Sequence, residues 1–389
     1  MHQKERIHYL DWLRISAFAL LILFHSWQPF NSFHWLIKSP YQTVLADILT
    51  VFFHTWRLYL IFFVSGVGTF LALRSRGNKF FTDRFQRLII PFIFGIIVIV
   101  PCQYYFQKLQ KYPGTSFLNF IAHYPGFIAS RPYKFDIFQW LLELGIHLWY
   151  LPSLFIMTVA LYPLFNRINL SPAVSVLTRR PQLLWLFVLP FIFTLILLKP
   201  IFPEYTSVTD FITYAIIFLY GFFFIKQHVQ LLPVLHKNST MLLISGIASS
   251  LLLIGCLLSP SLRKAAFNPS YSINHVIISI LLGCSAFTWP LYFVSLFSRR
   301  FNYSNTLLPE LNKSVLPVYI IHQTIIVAGG FFIIKYVGNG LLEFILIVLT
   351  TFMISIPVYL FIKRFGITRF LFGMSDKRDK IIRAQLSRE

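Results

Sequence analysis

A chain of 389 residues in which 57% are hydrophobic, only 12% are charged and 44 are phenylalanine cannot be a water-soluble globular protein. With a mean hydropathy of +0.68, it reads as an integral membrane protein. The formal net charge of +21 does not require nucleic acid as a partner. Most of the Lys and Arg fall where the positive-inside rule and anionic lipid headgroups place them.

The first apolar run, RISAFALLILFHSWQPF, is long enough to span a bilayer and has no convincing small-residue cleavage site, so it is expected to stay as an anchor. Within it Arg14 and His25 are eleven residues apart. At 1.5 Å of rise per residue the imidazole lies about 16 Å along the helix from the guanidinium, roughly half the hydrocarbon thickness. Asp11, Arg14 and His25 return to one helical stripe at 3.6 residues per turn. Asp11 and Arg14 read alone as a headgroup anchor. A histidine at mid-membrane depth, by contrast, needs a partner or a cavity, which makes His25 the first candidate for function.

Further spans are expected at 51–73, 88–106, 144–165, 183–199, 211–225, 241–258, 275–297, 315–336 and 341–362, which with 12–30 makes about ten. The fold class is all-α and polytopic, one transmembrane domain over 1–363 followed by a basic tail over 364–389. The clusters around Arg74 to Arg87, Arg167 to Arg180, Arg299 and Arg300, and the tail put both termini in the cytoplasm. Cys102, Cys256 and Cys284 lie in or beside apolar runs without metal-ligand spacing. They are read as packing residues, and no disulfide framework or metal site is expected.

After the second span Arg84 and Arg87 are three residues apart, so on a helix they point the same way. Two guanidiniums on one face form a fork suited to phosphate, although a lipid-binding loop has the same spacing. His54, Arg57 and His147 stand at the expected outer starts of spans, with Glu143 one turn before His147. They suit an acceptor site or ordinary interfacial anchoring equally. Tyr319 and His322 share a face of the ninth span and suit a cavity or an interhelical hydrogen bond. Ser65, Gly66 and Thr69 read as close-packing residues. The rings Tyr104, Tyr105, Tyr112, Tyr124, Tyr133 and Trp140 before the fourth span suit a sugar platform or an aromatic belt.

Together the R-x10-H pair of Arg14 and His25, the R-x-x-R of Arg84 and Arg87, and the stretches HTWRLYLIFFVSG (54–66), HLWYL (147–151) and SVLPVYIIHQ (314–323) resemble the acyltransferase type 3 family, nearest its glucan-modifying subgroup. The resemblance runs from Leu10 to about Gln323. It implies an enzyme of about ten helices in the bacterial inner membrane. Such an enzyme moves an acyl group, acetyl or succinyl in the nearest subgroup, from cytosolic acyl-CoA to a hydroxyl of an extracytoplasmic carbohydrate or glycan. It implies His25 as the essential histidine and Arg14, Arg84 and Arg87 as the residues engaging CoA. Some members carry a hydrolase-like domain after the membrane part, and none is expected here.

A neutral imidazole in a low-dielectric channel suits either proton abstraction or acyl acceptance, because a thioester is already activated. The competing class is a transporter or flippase with a histidine proton relay. It lacks an intramembrane acid near His25 and lacks paired interrupted helices.

Overall fold

The structure, a computed structural model, describes residues 7–130 and 136–374. Tyr133, Lys4, Arg6 and the tail beyond residue 374 lie outside the described residues. Seventeen α-helices follow in order: α1 His8–Trp27, α2 Val44–His54, α3 Arg57–Arg76, α4 Phe80–Phe94, α5 Val100–Lys111, α6 Phe117–Ala129, α7 Ile137–Gly145, α8 Tyr150–Arg167, α9 Ser171–Arg179, α10 Leu189–Leu198, α11 Val208–Lys226, α12 His228–Cys256, α13 Pro260–Phe267, α14 Ile273–Arg300, α15 Leu308–Tyr336, α16 Gly340–Arg364 and α17 Gly366–Leu371. The described residues contain no strand.

Nine helical stretches among the described residues are long and apolar enough to cross a membrane. One of them, Val44–Lys111, holds two of the expected spans. These are α3 and the α4–α5 unit, separated by a tight turn in which Gly77 takes φ +50°. Only glycine adopts that conformation without a steric penalty. The α4–α5 unit stays continuous through a π-helical turn at Gly95–Ile99. The protein is thus an all-α polytopic membrane protein, and its three cysteines are free thiols.

The core forms around α3. Its residues Arg57 to Val64 are buried without interruption, as in a helix enclosed on every side. Its nearest neighbour is α11, and the reason is sequence: a Cβ on Gly66 would sit 1.9 Å from the Phe218 carbonyl oxygen, and one on Gly221 would sit 2.0 Å from that of Phe63. Two glycines facing opposite backbones let the helices touch at main-chain distance.

Helix α1 packs against α15, α14, α3 and α16, so its polar stripe faces protein and not lipid. Its far end is anchored by Lys38, whose Nζ donates to the carbonyls of Gln28 at 2.9 Å and Asn31 at 2.6 Å. A cation there satisfies exposed carbonyls and the negative end of the helix dipole. Thr50 of α2 accepts from Trp27, Gln28 and Asn31. These ties hold α1 at one height in the bundle, which sets the level of His25. At the opposite end α17, the described part of the basic tail, packs on α4 and α16.

Candidate active site

Near the start of α1 Asp11 and Arg14 are joined through a third residue. Arg14 Nη1 donates to Asn312 Oδ1 of α15 at 3.3 Å, and Asn312 Nδ2 donates to Asp11. The amide thus orients the guanidinium through one of its five donors. Arg84 donates to Thr69 of α3, its Nε has no partner, and it lies within electrostatic reach of both Arg87 and Arg14. The arginines of two distant sequence motifs therefore share one end of the bundle.

Tyr150, the first residue of α8, stands between these arginines and His25 in its electrostatic and cavity contacts. Its hydroxyl is hydrogen bonded to Ser65, and it lies within electrostatic reach of Arg14 and Arg84. Tyr150 also lines a cavity with Phe18, Leu21, His25, Arg57 and His147, about 400 Å³ of empty space including its open mouth. Sequence reading missed Tyr150 as a functional residue; the one available signal was its place in the HLWYL stretch.

Inside the cavity the hydrogen bonds assign protons. His322 Nδ1 lies 2.6 Å from the Tyr319 carbonyl, which can only accept, so Nδ1 carries the proton and Nε2 is bare. His25 Nδ1 lies 2.9 Å from that Nε2 and must donate to it. In the neutral pair His25 therefore keeps an unprotonated Nε2, and the ring is partly exposed to the cavity. The two rings stack with centroids 5.1 Å apart. Of the two alternatives for His322 the structure shows the interhelical hydrogen bond, to the ring that lines the cavity, while His322 itself is fully buried behind it.

His147 is brought in by the chain break between α7 and α8. Ile146 is held at φ +49°, which for a β-branched residue costs about 1–3 kcal/mol. That turn points His147 inward, where Nε2 donates to the Ile320 carbonyl at 3.1 Å and Nδ1 has no partner. The Tyr319 hydroxyl closes the loop by donating to the His147 carbonyl.

The packing decides between alternatives that the sequence leaves open. Arg57 and His147 are not interfacial anchors, being 2% and 7% exposed. The turn at Thr55 and Trp56 inserts Arg57 into the core, with Thr55 bonded to Ser285 at 2.8 Å and Trp56 packed on Trp289. His54 is exposed but closes α2 instead of opening a span, with its ring 4.9 Å from Tyr205, a cavity residue from the loop before α11. Glu143 is not among the residues lining the cavity. Of the expected sugar-facing rings, Tyr104 and Tyr124 are buried and donate to the carbonyls of Glu143 and Ile96, so they serve packing.

No group of three or more His, Cys, Asp or Glu side chains placed to hold a metal occurs among the described residues. The histidines instead spend ring nitrogens on one another and on carbonyls.

The fold and this interior define an integral membrane protein with an enzyme-like site, in which a partly buried imidazole with a free lone pair lines a cavity and arginines of two sequence motifs gather at one end of the bundle. The chain belongs to the acyltransferase type 3 family: the profile described as "Acyltransferase domain" matches residues 7–360. It is therefore a membrane acyltransferase. Glucans biosynthesis protein C of Escherichia coli (strain K12) is 23% identical over 394 residues, covering 95% of this chain and 94% of that protein. The proteins of the same name from E. coli O81 (strain ED1a) and O157:H7 (strain EC4115 / EHEC) are also 23% identical, over 391 and 394 residues, with the same coverage. No solved structure matches.

Proposed function

We propose that this protein is an acyl-CoA-dependent O-acyltransferase of the bacterial inner membrane, with both termini cytoplasmic, that moves an acetyl or succinyl group to a hydroxyl of an extracytoplasmic glycan. The observation that carries the reading is the bare Nε2 of His25 in a cavity that Tyr150 also lines, Tyr150 itself lying within electrostatic reach of Arg14 and Arg84. The names of the relatives, which concern glucan biosynthesis, favour a carbohydrate acceptor.

The arginines hold the phosphates of CoA on the cytosolic side. Guanidinium is suited to this because it offers paired donors and keeps its charge when partly desolvated. The thioester arm then spans the roughly three helical turns from Arg14 to His25. In direct transfer the glycan hydroxyl attacks the thioester carbon and its proton moves to His25 Nε2. The carbon–sulfur bond breaks, and the CoA thiolate takes a proton from the imidazolium. In a relay the same lone pair attacks the thioester carbon first, the carbon–sulfur bond breaks and CoA leaves as the thiolate. The glycan hydroxyl then attacks the acyl carbon, the carbon–nitrogen bond to His25 breaks, and the hydroxyl proton neutralises the thiolate. Both routes need the tautomer that His322 imposes.

The test is to reconstitute the full chain in lipid nanodiscs with radiolabelled acetyl-CoA or succinyl-CoA and a bacterial cell-envelope oligoglucan. Ester-linked label on the glycan is expected, and its absence with both thioesters would overturn the reading. A second expectation concerns the donor site. Arg14→Ala removes a phosphate contact and leaves the imidazole in place, so the KM for acyl-CoA rises about tenfold while kcat changes little, as for loss of one charged hydrogen bond. An unchanged KM would remove Arg14 from the donor site.

A further inference from the structure

Arg57 is a charged cavity residue for which the proposed chemistry has so far given no task, and its placement is costly in three separate ways. It is 2% exposed, so its charge has been taken out of water. It opens α3, where the helix dipole is positive and a cation is repelled. Its Nε and Nη1 have no hydrogen-bond partner, although a guanidinium normally satisfies all five donors when buried. One compensating contact is present: the guanidinium carbon lies 3.4 Å from the centroid of the Phe24 ring. Stacking on that face fixes the plane of the guanidinium and leaves its edge free. Phe24 is the neighbour of His25 in sequence, with ring centroids 5.4 Å apart, so Arg57 is positioned against the residue beside the candidate base.

All of these features suit one occupant, a negative charge inside the cavity that Arg57, Leu58 and His25 line together. The first-turn amides of α3 have no intrahelical acceptor, so a charge there meets the guanidinium and the positive end of a twenty-residue helix at once. In the proposed reaction a negative charge arises at one place. When a nucleophile adds to the thioester carbon, whether imidazole nitrogen or glycan hydroxyl, the carbon–oxygen double bond opens and its electron pair goes to the carbonyl oxygen. The charge disappears when the carbon–sulfur bond breaks and the carbonyl re-forms. A donor that is unpaired before the reaction and paired only during it stabilises the transition state without tightening the ground state.

We infer that Arg57 is a catalytic residue, the oxyanion-stabilising donor for acyl transfer at His25. This inference rests on the functional reading above. It makes no demand on the acyl chain beyond the thioester carbonyl.

The experiment measures kcat and KM for acetyl-CoA and for succinyl-CoA with the full chain in nanodiscs, comparing the parent, His25→Ala, Arg57→Lys, Arg57→Gln and Arg57→Ala. If the parent transfers no label, or His25→Ala matches it, the functional reading fails and the role of Arg57 falls with it. If the parent transfers and His25→Ala does not, the Arg57 variants decide. Loss of the donor is expected to lower kcat about 100-fold for both thioesters, with KM within about threefold, the usual effect of removing one oxyanion donor. Added guanidinium is expected to restore part of the kcat of Arg57→Ala, a response that a packing role would not show. If Arg57→Gln fails to assemble, Arg57→Lys carries the same test, since it keeps the charge and most of the stem but not the fork. Unchanged kcat in the Arg57 variants overturns the inference. So does a defect confined to the KM for succinyl-CoA, which would make Arg57 the anchor for a carboxylate on the acyl group.

Discussion

His25→Ala is expected to lower transfer from acyl-CoA by about 10²–10⁴-fold, the usual contribution of a positioned general base, while the protein folds and inserts normally. Folding should survive because the ring is only partly buried and makes one hydrogen bond, to His322. His322→Ala is expected to have a smaller effect. It leaves Nε2 of His25 in place but removes the acceptor that holds the proton on Nδ1, a hydrogen bond that contributes about 1 kcal/mol, so kcat should fall about fivefold. The order of the two effects is the useful result. If His322→Ala matched or exceeded His25→Ala, the reacting lone pair would have been assigned to the wrong ring. A His25→Ala protein that transfers at the parental rate would remove the imidazole from the chemistry altogether.

The second large effect is structural. Gly66→Leu should abolish assembly, and Gly66→Ala alone should be strongly destabilising, because its Cβ would sit 1.9 Å from the Phe218 carbonyl oxygen. The obstacle is backbone, which cannot rotate away as a side chain can, so α3 and α11 must separate. Overpacking of ordinary cores costs about 1–3 kcal/mol, and this case lies beyond it. Gly68, two residues on and exposed, provides the control, since a Cβ there meets nothing within 4 Å. Gly68→Ala should leave the melting temperature unchanged or raised, because alanine favours the helix by up to about 1 kcal/mol. The measurement is detergent-solubilised yield and thermal melting of the two alanine variants. Equal behaviour would mean that the α3–α11 approach is not that close.

The same pair of helices shows what kind of information each level holds. Gly66 was readable as a close-packing residue from its small size in an apolar run, but the identity of the surface it meets was not, because Phe218 is remote in sequence. The site divides in the same way. Arg14 and His25 were legible together because both lie on α1, where helical periodicity alone puts them on one face. Arg84 and Arg87 were legible as a fork because they are three apart on another helix. Asn312, which orients Arg14, lies 298 residues away from it, and His322, which sets the tautomer of His25, lies 297 away. For Arg57 and His147 the sequence left a site and an interfacial anchor equally open, because their positions at span boundaries suit both. The turn at Thr55 and Trp56 and the strained Ile146 carry both of them inward.

By itself, then, the sequence determined that the chain crosses the membrane many times as helices, because apolar composition and length leave the backbone no other way to satisfy its hydrogen bonds in lipid. It also determined every relation carried within a single helix, since a period of 3.6 residues is local. Only the tertiary structure decided which nitrogen of His25 is free, what holds Arg14, and that Arg57 lines the same cavity as His25. Those outcomes depend on which helices meet and at what height, and that is settled by the summed packing of segments far apart in the chain.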